Sequence, residues 1–99
     1  MTRLVSYSVY IMSNLHHSVF YVGVTSDLES RVWQHKNGEG GVFAKKYKFF
    51  YLLYYEDYQH IQKTIEREKQ LKDWHRPWKM NLVRQENPEF KDLAADWFQ

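Results

Sequence analysis

A chain of 99 residues has room for a single domain with a modest core, and we treat residues 1–99 as one unit. It contains no cysteine, which excludes disulfides, thiolate metal sites and a cysteine nucleophile. The net charge of +2 permits nucleic-acid binding without arguing for it. No apolar run is long enough to cross a bilayer and the start lacks a signal peptide, so we expect a soluble, cytoplasmic protein without a membrane partner.

The first strand and the hairpin are the clearest elements. Residues 4–13 alternate in polarity, which predicts a strand with Tyr10 on the face opposite Val9. Residues 14–17 have the composition of a turn, and residues 19–24 predict a second strand. With that turn, Tyr10 pairs directly with Tyr21, and both hydroxyl groups lie on one face. Gly23 lies on the same face, and a glycine inside a strand often marks close approach of a ligand.

Helices and one more strand follow. Ser26 and Glu29 have the spacing of a capping box, which predicts a helix that runs to about Lys36. Residues 37–48 predict a loop, and the apolar run 49–55 predicts a buried central strand. A helix is predicted from 58 to about 74, then a break before Pro77 and a shorter helix over 77–85. The pattern indicates an α+β fold: a small three-stranded sheet with helices beside it.

Glu68 stands out because it interrupts an apolar stripe on the long helix. Ile61, Ile65, Leu71 and Lys72 mark the stripe, and Glu68 lies three residues after Ile65 and three before Leu71. A buried carboxylate needs a cation, a metal ion or several hydrogen bonds to offset its desolvation. The sequence leaves open whether Glu68 binds a metal ion or forms a buried salt bridge.

The first helix carries a similar anomaly. Arg31 and His35 are one turn apart and flank its inward stripe. The guanidinium group of Arg31 suits either a carboxylate such as that of Glu68 or two phosphate oxygens. His35 suits three roles: a general base, a phosphate contact, or a partly buried ring with a satisfied hydrogen bond.

Positive charge is concentrated in two stretches, residues 45–48 and 63–84, whereas the segment beyond 85 is acidic. This asymmetry suits a protein with one phosphate-facing side, although solvated helix faces explain it equally well. The candidate nucleic-acid contacts among these cations are Lys45, Lys46, Lys48, Lys69, Lys72 and Arg76.

Several short motifs occur together in a fixed order: Ser8-Val9-Tyr10, Tyr21-Val22-Gly23, R-V-W-Q-H with Arg31 and His35, and E-K-Q-L-K with Glu68. This set resembles the GIY-YIG endonuclease superfamily. The stretches Y-V-G-V-T-S-D-L-E-S-R-V-W-Q-H-K-N-G, E-R-E-K-Q-L-K-D-W and N-P-E-F-K-D-L are similar to its small stand-alone bacterial members. Those members are related to the first catalytic domain of the excision-repair incision nuclease. The resemblance covers about residues 7–97.

The resemblance implies a three-stranded antiparallel sheet flanked by three or more helices, with a metal-dependent endonuclease activity on phosphodiesters. DNA is expected in preference to RNA, in DNA repair or processing. Glu68 is expected to bind a divalent ion, Mg²⁺ or Mn²⁺, and Arg31 to contact the scissile phosphate. Tyr10 and Tyr21 are expected around the attacking water. Tyr10 is our first choice for the group that takes the proton, and His35 the second.

Some questions stay open at the level of the sequence. The family has an asparagine after the catalytic glutamate, and both Asn81 and Asn87 are candidates for it. The alternative function is a nucleic-acid-binding module that cuts nothing. A third interpretation is a structural domain in which Arg31 and Glu68 form a buried ion pair. A chain this short has no room for an appended binding domain, so low specificity or a protein partner that supplies it is expected.

Overall fold

The computed structural model describes residues 6–38 and 48–98, which form a three-stranded antiparallel sheet with helices on both sides. This arrangement confirms the predicted fold class. The strand order is β2-β1-β3, so the first strand of the chain lies in the middle. The elements are β1 (Tyr7–Ser13), β2 (Phe20–Thr25), α1 (Leu28–Lys36), β3 (Tyr51–Tyr58), α2 (Ile61–Asp73) and α3 (Arg76–Glu86).

The central strand β1 separates two apolar clusters, as its alternating sequence predicts. Val9 packs in one cluster with Leu71 of α2 and Val83 of α3. Tyr10 packs in the other with Val32 of α1 and with a residue of the C-terminal tail, Ala94. Since both faces of β1 are covered, four consecutive side chains from Val9 to Met12 are inaccessible to solvent.

The register of the hairpin differs from the predicted one. Tyr10 pairs with Gly23, and Tyr21 pairs with Met12, so the two tyrosines are diagonal neighbours on one face rather than directly opposed. The connection is longer than four residues because Asn14 organises it: its side-chain oxygen accepts hydrogen bonds from the backbone N–H groups of residues 18 and 19, at 2.9 and 3.1 Å. These local bonds stabilise a wider loop than the sequence indicated.

The third strand was predicted as a central strand over 49–55, and this prediction was wrong in position. β3 is an edge strand that starts at Tyr51 and continues to Tyr58. Its free edge is covered by the tail, since the N–H of Leu93 donates to the carbonyl of Leu52 at 2.8 Å. The side chain of Asn87 donates to the carbonyl of Leu53, where the pairing with β1 is irregular. A covered edge explains why an edge strand has a continuous apolar sequence.

Helix boundaries were predicted within one to three residues. α1 ends at Lys36 as expected, but its N-cap is Asp27, whose carboxylate accepts from the N–H of Ser30, and not Ser26. α2 begins at Ile61 rather than 58 because β3 extends further than expected. α3 has Pro77 in its first turn, as predicted. In the described part of the chain, no helix is both long and apolar enough to cross a membrane.

Candidate active site

Tyr10 lies flat across Gly23 on the neighbouring strand. A Cβ atom added at Gly23 would be only 2.5 Å from the Cζ and Oη atoms of Tyr10 and 2.8 Å from the ring of Tyr21. Any side chain at this position would therefore displace the Tyr10 ring. In this structure the group that approaches Gly23 closely is an aromatic ring of the protein itself, and the predicted contact of Gly23 with nucleic acid stays a prediction.

Tyr10, Tyr21 and His35 form one compact cluster. The Tyr10 hydroxyl and the His35 Nε2 atom are 2.9 Å apart, within hydrogen-bond distance. The ring of Tyr21 lies 6.0 Å from that of Tyr10 and 4.9 Å from that of His35. Phe49 closes the cluster, 5.4 Å from Tyr21 and 6.1 Å from His35 between ring centroids. A strand from each half of the hairpin and one helix thus meet at this point.

Burial keeps Tyr10 and His35 in their neutral forms. Burial, reinforced by the positive charge of Arg31, lowers the pKa of His35 to about 4. Burial also raises the pKa of Tyr10 far above its usual value; Tyr21 adds to this effect and Arg31 opposes it. A Tyr10 phenolate is therefore disfavoured, which weighs against our first choice for the proton acceptor.

His35 has one unsatisfied polar atom. Its Nδ1 atom is buried and has no hydrogen-bond partner among the described residues. The ring is 2% exposed, so its single polar contact with the described residues is the one to Tyr10. An imidazole with one committed nitrogen is more easily reoriented than one with both nitrogens bonded.

Glu68 faces inward, as predicted, although the stripe around it is not the expected one. The buried positions of α2 are Thr64 and Leu71, whereas Ile61 is 39% exposed. Glu68 lies between the two buried positions on the helix surface, and its side chain is 13% exposed. Its Oε1 atom forms an ion pair with the Lys72 ammonium group, one turn further, at 2.8 Å.

Arg31 does not pair with Glu68. Within residues 6–38 and 48–98, no carboxylate lies within ion-pair distance of the Arg31 guanidinium group, which contradicts the buried Arg31–Glu68 pair of the structural interpretation. Arg31 is half-buried on α1, and its charge acts on both Tyr10 and His35. The charge of Glu68 acts on Tyr10 as well. The motif residues from β1, β2, α1 and α2 are therefore brought together around one cluster.

The candidate nucleic-acid contacts have different environments. Arg76 donates to the carbonyls of His17 and Ser18, at 2.6 and 2.7 Å, and its guanidinium carbon lies 4.9 Å from the ring centroid of Phe20. These contacts give Arg76 a structural role in holding the β1–β2 loop, and its predicted contact with nucleic acid stays a prediction. Lys48 and Lys69 are exposed, and Lys72 is the partner of Glu68. Lys45 and Lys46 lie outside the described residues.

Neither candidate asparagine joins the cluster. Asn87 is buried, and its amide holds the carbonyls of Leu53 and Lys91 and accepts from the N–H of Lys91. Its role is to fasten the tail to β3. Asn81 is exposed and accepts a hydrogen bond from Arg84 at 2.9 Å.

One polar network was missed by the sequence analysis. Glu56 of β3 accepts two hydrogen bonds from Arg67 of α2, both at 2.9 Å, and one each from Tyr54 and Tyr58. Burial pushes the pKa of Glu56 up, but these hydrogen bonds outweigh it and the pKa lies below its usual value. The tyrosine-glutamate-tyrosine alternation at 54, 56 and 58 has the period of a strand and was the signal that could have revealed it.

Comparisons with known proteins identify the family and support the fold. A family model described as the GIY-YIG catalytic domain matches residues 6–81. UPF0213 proteins of Staphylococcus aureus strains Mu3 and N315 are 30% identical over 80 residues, which cover 81% of this chain and 96% of each relative. The solution NMR structure of the UPF0213 protein BH0048 from Bacillus halodurans superposes with a TM-score of 0.57. That structure is 22% identical and covers 92% of this chain and 97% of its own.

The model match spans most of the chain and includes every residue of the cluster around Tyr10, together with Arg31 and Glu68. The curated relatives are matched over nearly their whole length, so the likeness is not confined to one motif. The structural neighbour supports the same fold independently of close sequence identity. The chain is therefore a member of the GIY-YIG catalytic domain family.

Proposed function

We propose that this protein is a metal-dependent endonuclease that hydrolyses phosphodiester bonds, in DNA in preference to RNA, and that it acts in the cytoplasm in DNA repair or processing. One observation carries the proposal: Arg31 and Glu68 both act on the Tyr10 cluster, yet they do not neutralise each other. A purely structural domain gains nothing from leaving the half-buried Arg31 without a carboxylate partner in the described ranges while the nearby Glu68 pairs with the exposed Lys72.

The Glu68 site fits a magnesium or manganese ion held by one carboxylate. The described residues contain no group of three or more histidine, aspartate or glutamate side chains that could enclose a metal ion. Mg²⁺ commonly binds one or two carboxylates and completes its shell with water and substrate phosphate. Among the described residues, a partner is found only for Oε1 of Glu68, namely Lys72. When bound, such an ion supplies electrostatic stabilisation to the leaving oxygen and the phosphate.

Arg31 is the residue we assign to the reacting phosphate. Its guanidinium group has no carboxylate partner in the described ranges, so its donors do not have to be released before binding. The planar fork matches two phosphate oxygens, and a preorganised donor pair stabilises charge that develops in the transition state. Lys72 is 54% exposed, so its ammonium group is free to turn from Glu68 towards a phosphate.

The proton from the attacking water is assigned a path through the tyrosine cluster. Tyr21 is partly exposed, whereas Tyr10 is fully buried, so the hydroxyl that meets water is that of Tyr21. Tyr21 takes the proton from water and passes its own to Tyr10, and Tyr10 passes its own to Nε2 of His35. His35 is neutral above about pH 4, so its ring is free to accept the proton, and the same low pKa makes it a weak base at neutral pH.

The test is a cleavage assay on labelled single-stranded, duplex and branched DNA and on RNA, with magnesium or manganese. The variant is Glu68→Gln, and Glu66→Gln is the matched control because Glu66 is its exposed neighbour on the same helix. We expect metal-dependent cutting by the wild type and by Glu66→Gln, and a loss of at least a hundredfold in Glu68→Gln. Calorimetric titration with Mg²⁺ checks that Glu68→Gln also loses metal binding.

Equal cutting by the wild type and Glu68→Gln would contradict the assignment of the site. Binding without cutting would favour the alternative, a nucleic-acid-binding module that does not cleave. Cutting that appears only when a further protein is added would identify that protein as the source of specificity.

A further inference from the structure

Trp78 is the most exposed of the large hydrophobic side chains in the described ranges, at 57%. It lies in the first turn of α3, directly after Pro77. An indole ring left in water forgoes the stabilisation that burial of an aromatic side chain gives. A single exposed ring is common on protein surfaces, so it is the surroundings of Trp78, and not its exposure alone, that point to a ligand.

The ring of Trp78 is held in place although it is exposed. Trp74 meets it at 5.9 Å with an interplanar angle of 85°, and His75 meets it at 6.0 Å and 78°. Trp74 is itself fixed by Arg67, whose guanidinium carbon lies 5.2 Å from its ring centroid. Neither neighbour stacks parallel on Trp78, so the ring is held in one orientation while its faces stay uncovered. Because the Trp78 side chain is already ordered, a ligand that binds it loses little affinity to the ordering of this side chain.

The sequence around Trp78 is predominantly basic, although Asp73 at the end of α2 acts electrostatically on Lys79. Residues 74–85 contain no aspartate or glutamate, and their basic members are His75, Arg76, Lys79 and Arg84. Arg76 is bound to backbone carbonyls, which do not neutralise its charge. An exposed aromatic ring among cations suits a polyanion with stackable rings, and a nucleic-acid strand has both properties.

The position of Trp78 relative to Glu68 suits the same strand. Glu68 and Asp73 both lie on α2, which ends next to Trp74. The five residues of helix from Glu68 to Asp73 span about 7.5 Å. A strand whose phosphate lies at Glu68 would reach Trp78 within a few nucleotides. A base inside a duplex is already paired and stacked, so only an unpaired base can stack on this ring.

We propose that Trp78 is a stacking platform for an unpaired base, and that the substrate is single-stranded where it crosses the start of α3. This inference names a substrate class for the proposed nuclease and rests on that function. In this proposal Trp78 favours the binding of single-stranded over duplex nucleic acid, and the cluster around Tyr10 carries out the cleavage.

The test measures binding without cleavage. Fluorescence anisotropy of a labelled thymidine oligomer and of a hairpin duplex, both in EDTA, is compared for the wild type, Trp78→Ala and Trp78→Phe. Trp33→Ala is the matched control, since Trp33 is 46% exposed but lies beside the carboxylates of Asp27 and Glu29. Thermal unfolding followed by circular dichroism checks that every variant is folded.

We expect Trp78→Ala to bind the single strand about tenfold more weakly, the loss of one base-aromatic stack. Duplex binding should change less than about twofold, Trp78→Phe should retain most of the affinity, and Trp33→Ala should match the wild type. Unchanged single-strand binding by folded Trp78→Ala overturns the proposal, and so does an equal loss for both substrates. A change in sedimentation of Trp78→Ala instead would make the ring a protein contact and overturn it too.

The two proposals fail separately. If the protein binds single strands through Trp78 but cuts nothing, this inference is supported and the proposed nuclease activity is contradicted. If cleavage depends on Glu68 but Trp78→Ala has no effect, the nuclease activity is supported and the stacking role of Trp78 is contradicted.

Discussion

Glu66, Arg67 and Glu68 are consecutive residues of α2 with three different environments. Glu66 is exposed, Arg67 is bound to Glu56 on the sheet, and Glu68 faces inward with Lys72 as its partner. Successive helix positions point about 100° apart, so one helix can carry a solvated, a structural and a functional group in a row. Only the third of them is the residue that we propose as a metal ligand.

Removal of the Lys72 ammonium group should tighten metal binding. A cation that binds Glu68 must displace the Lys72 ion pair, which as a half-exposed pair contributes less than about 1 kcal/mol. We expect Lys72→Met to bind Mg²⁺ about two- to fivefold more tightly by calorimetry. Lys69→Met, at an exposed neighbouring position, serves as the control. Weaker metal binding by Lys72→Met would show that the ammonium group supports the site rather than competing for it.

His35 should make the stability of the fold depend on pH. Its pKa falls from 6.5 to about 4 on folding, so the unfolded chain binds more protons between these values. Its contribution is therefore complete above about pH 6.5 and is lost as the pH falls through about 4. About 2 kcal/mol should be lost between about pH 7.5 and about pH 5.

The measurement is urea unfolding of the wild type and of His35→Gln at both pH values. The variant should be less stable near neutral pH but should lose less stability on acidification. The carboxylate of Glu56 titrates in both proteins, so the difference between the two slopes isolates His35. Parallel slopes would mean that the ring is not kept neutral by the fold.

The contact between α3 and the hairpin loop is formed by one side chain. Arg76 bonds two consecutive carbonyls of the β1–β2 loop, which is 58 residues away in the chain. We expect Arg76→Ala to lower the free energy of unfolding by about 1–3 kcal/mol, since two charge-assisted hydrogen bonds are lost. Its affinity for nucleic acid should fall less than that of Lys69→Ala, because the guanidinium group is already bonded to carbonyls and contributes only its charge.

Lys69→Ala gives the opposite pattern and is the control for this prediction. Lys69 is exposed on α2, so its removal should leave unfolding unchanged and weaken nucleic-acid binding. Chemical denaturation and anisotropy on the same two variants check both readouts. A strong loss of affinity in a stable Arg76→Ala would place Arg76 at the nucleic-acid interface.

Elements with strong local signals were predicted correctly, and those that depend on distant partners were not. The alternation of β1 and the position of Pro77 depend on local residues and were confirmed. The hairpin register depends on side-chain bonds made by Asn14, and the extension of β3 depends on the tail that covers its edge. Neither kind of contact is visible in periodicity, because both join residues whose spacing is not repeated.

The same distinction applies to the site. The inward position of Glu68 followed from helical spacing and was confirmed, whereas the choice between Lys72 and Arg31 as its partner required the structure. Gly23 was singled out correctly as unusual, but the ring that approaches it could be identified only from the true register. The chemical roles of these residues remain predictions.

At the scale of the whole molecule, the cationic surface limits how the protein can hold a strand. The longest dimension of the protein is 42 Å, about the length of 12 base pairs of duplex. Affinity that depends on lysine–phosphate contacts should fall steeply with salt, with a logarithmic slope of about −0.7 per contact on single strands. Anisotropy over a salt series checks this, and Lys69→Ala should make the slope shallower by nearly one contact. A flat salt response would contradict the phosphate-facing side.

The close contact of Tyr10 with Gly23 has a consequence for how the sequence can evolve. Since a methyl group at position 23 would overlap the ring at position 10, a larger residue at position 23 requires a change at position 10 as well. Gly23→Ala and Tyr10→Leu should each destabilise the protein, but the double substitution should cost less than the sum of the two. Among relatives, a residue larger than glycine at the first position should be found only where the second has lost its aromatic ring. We therefore expect the Tyr10 hydroxyl group to be retained only where the facing position on the next strand is glycine.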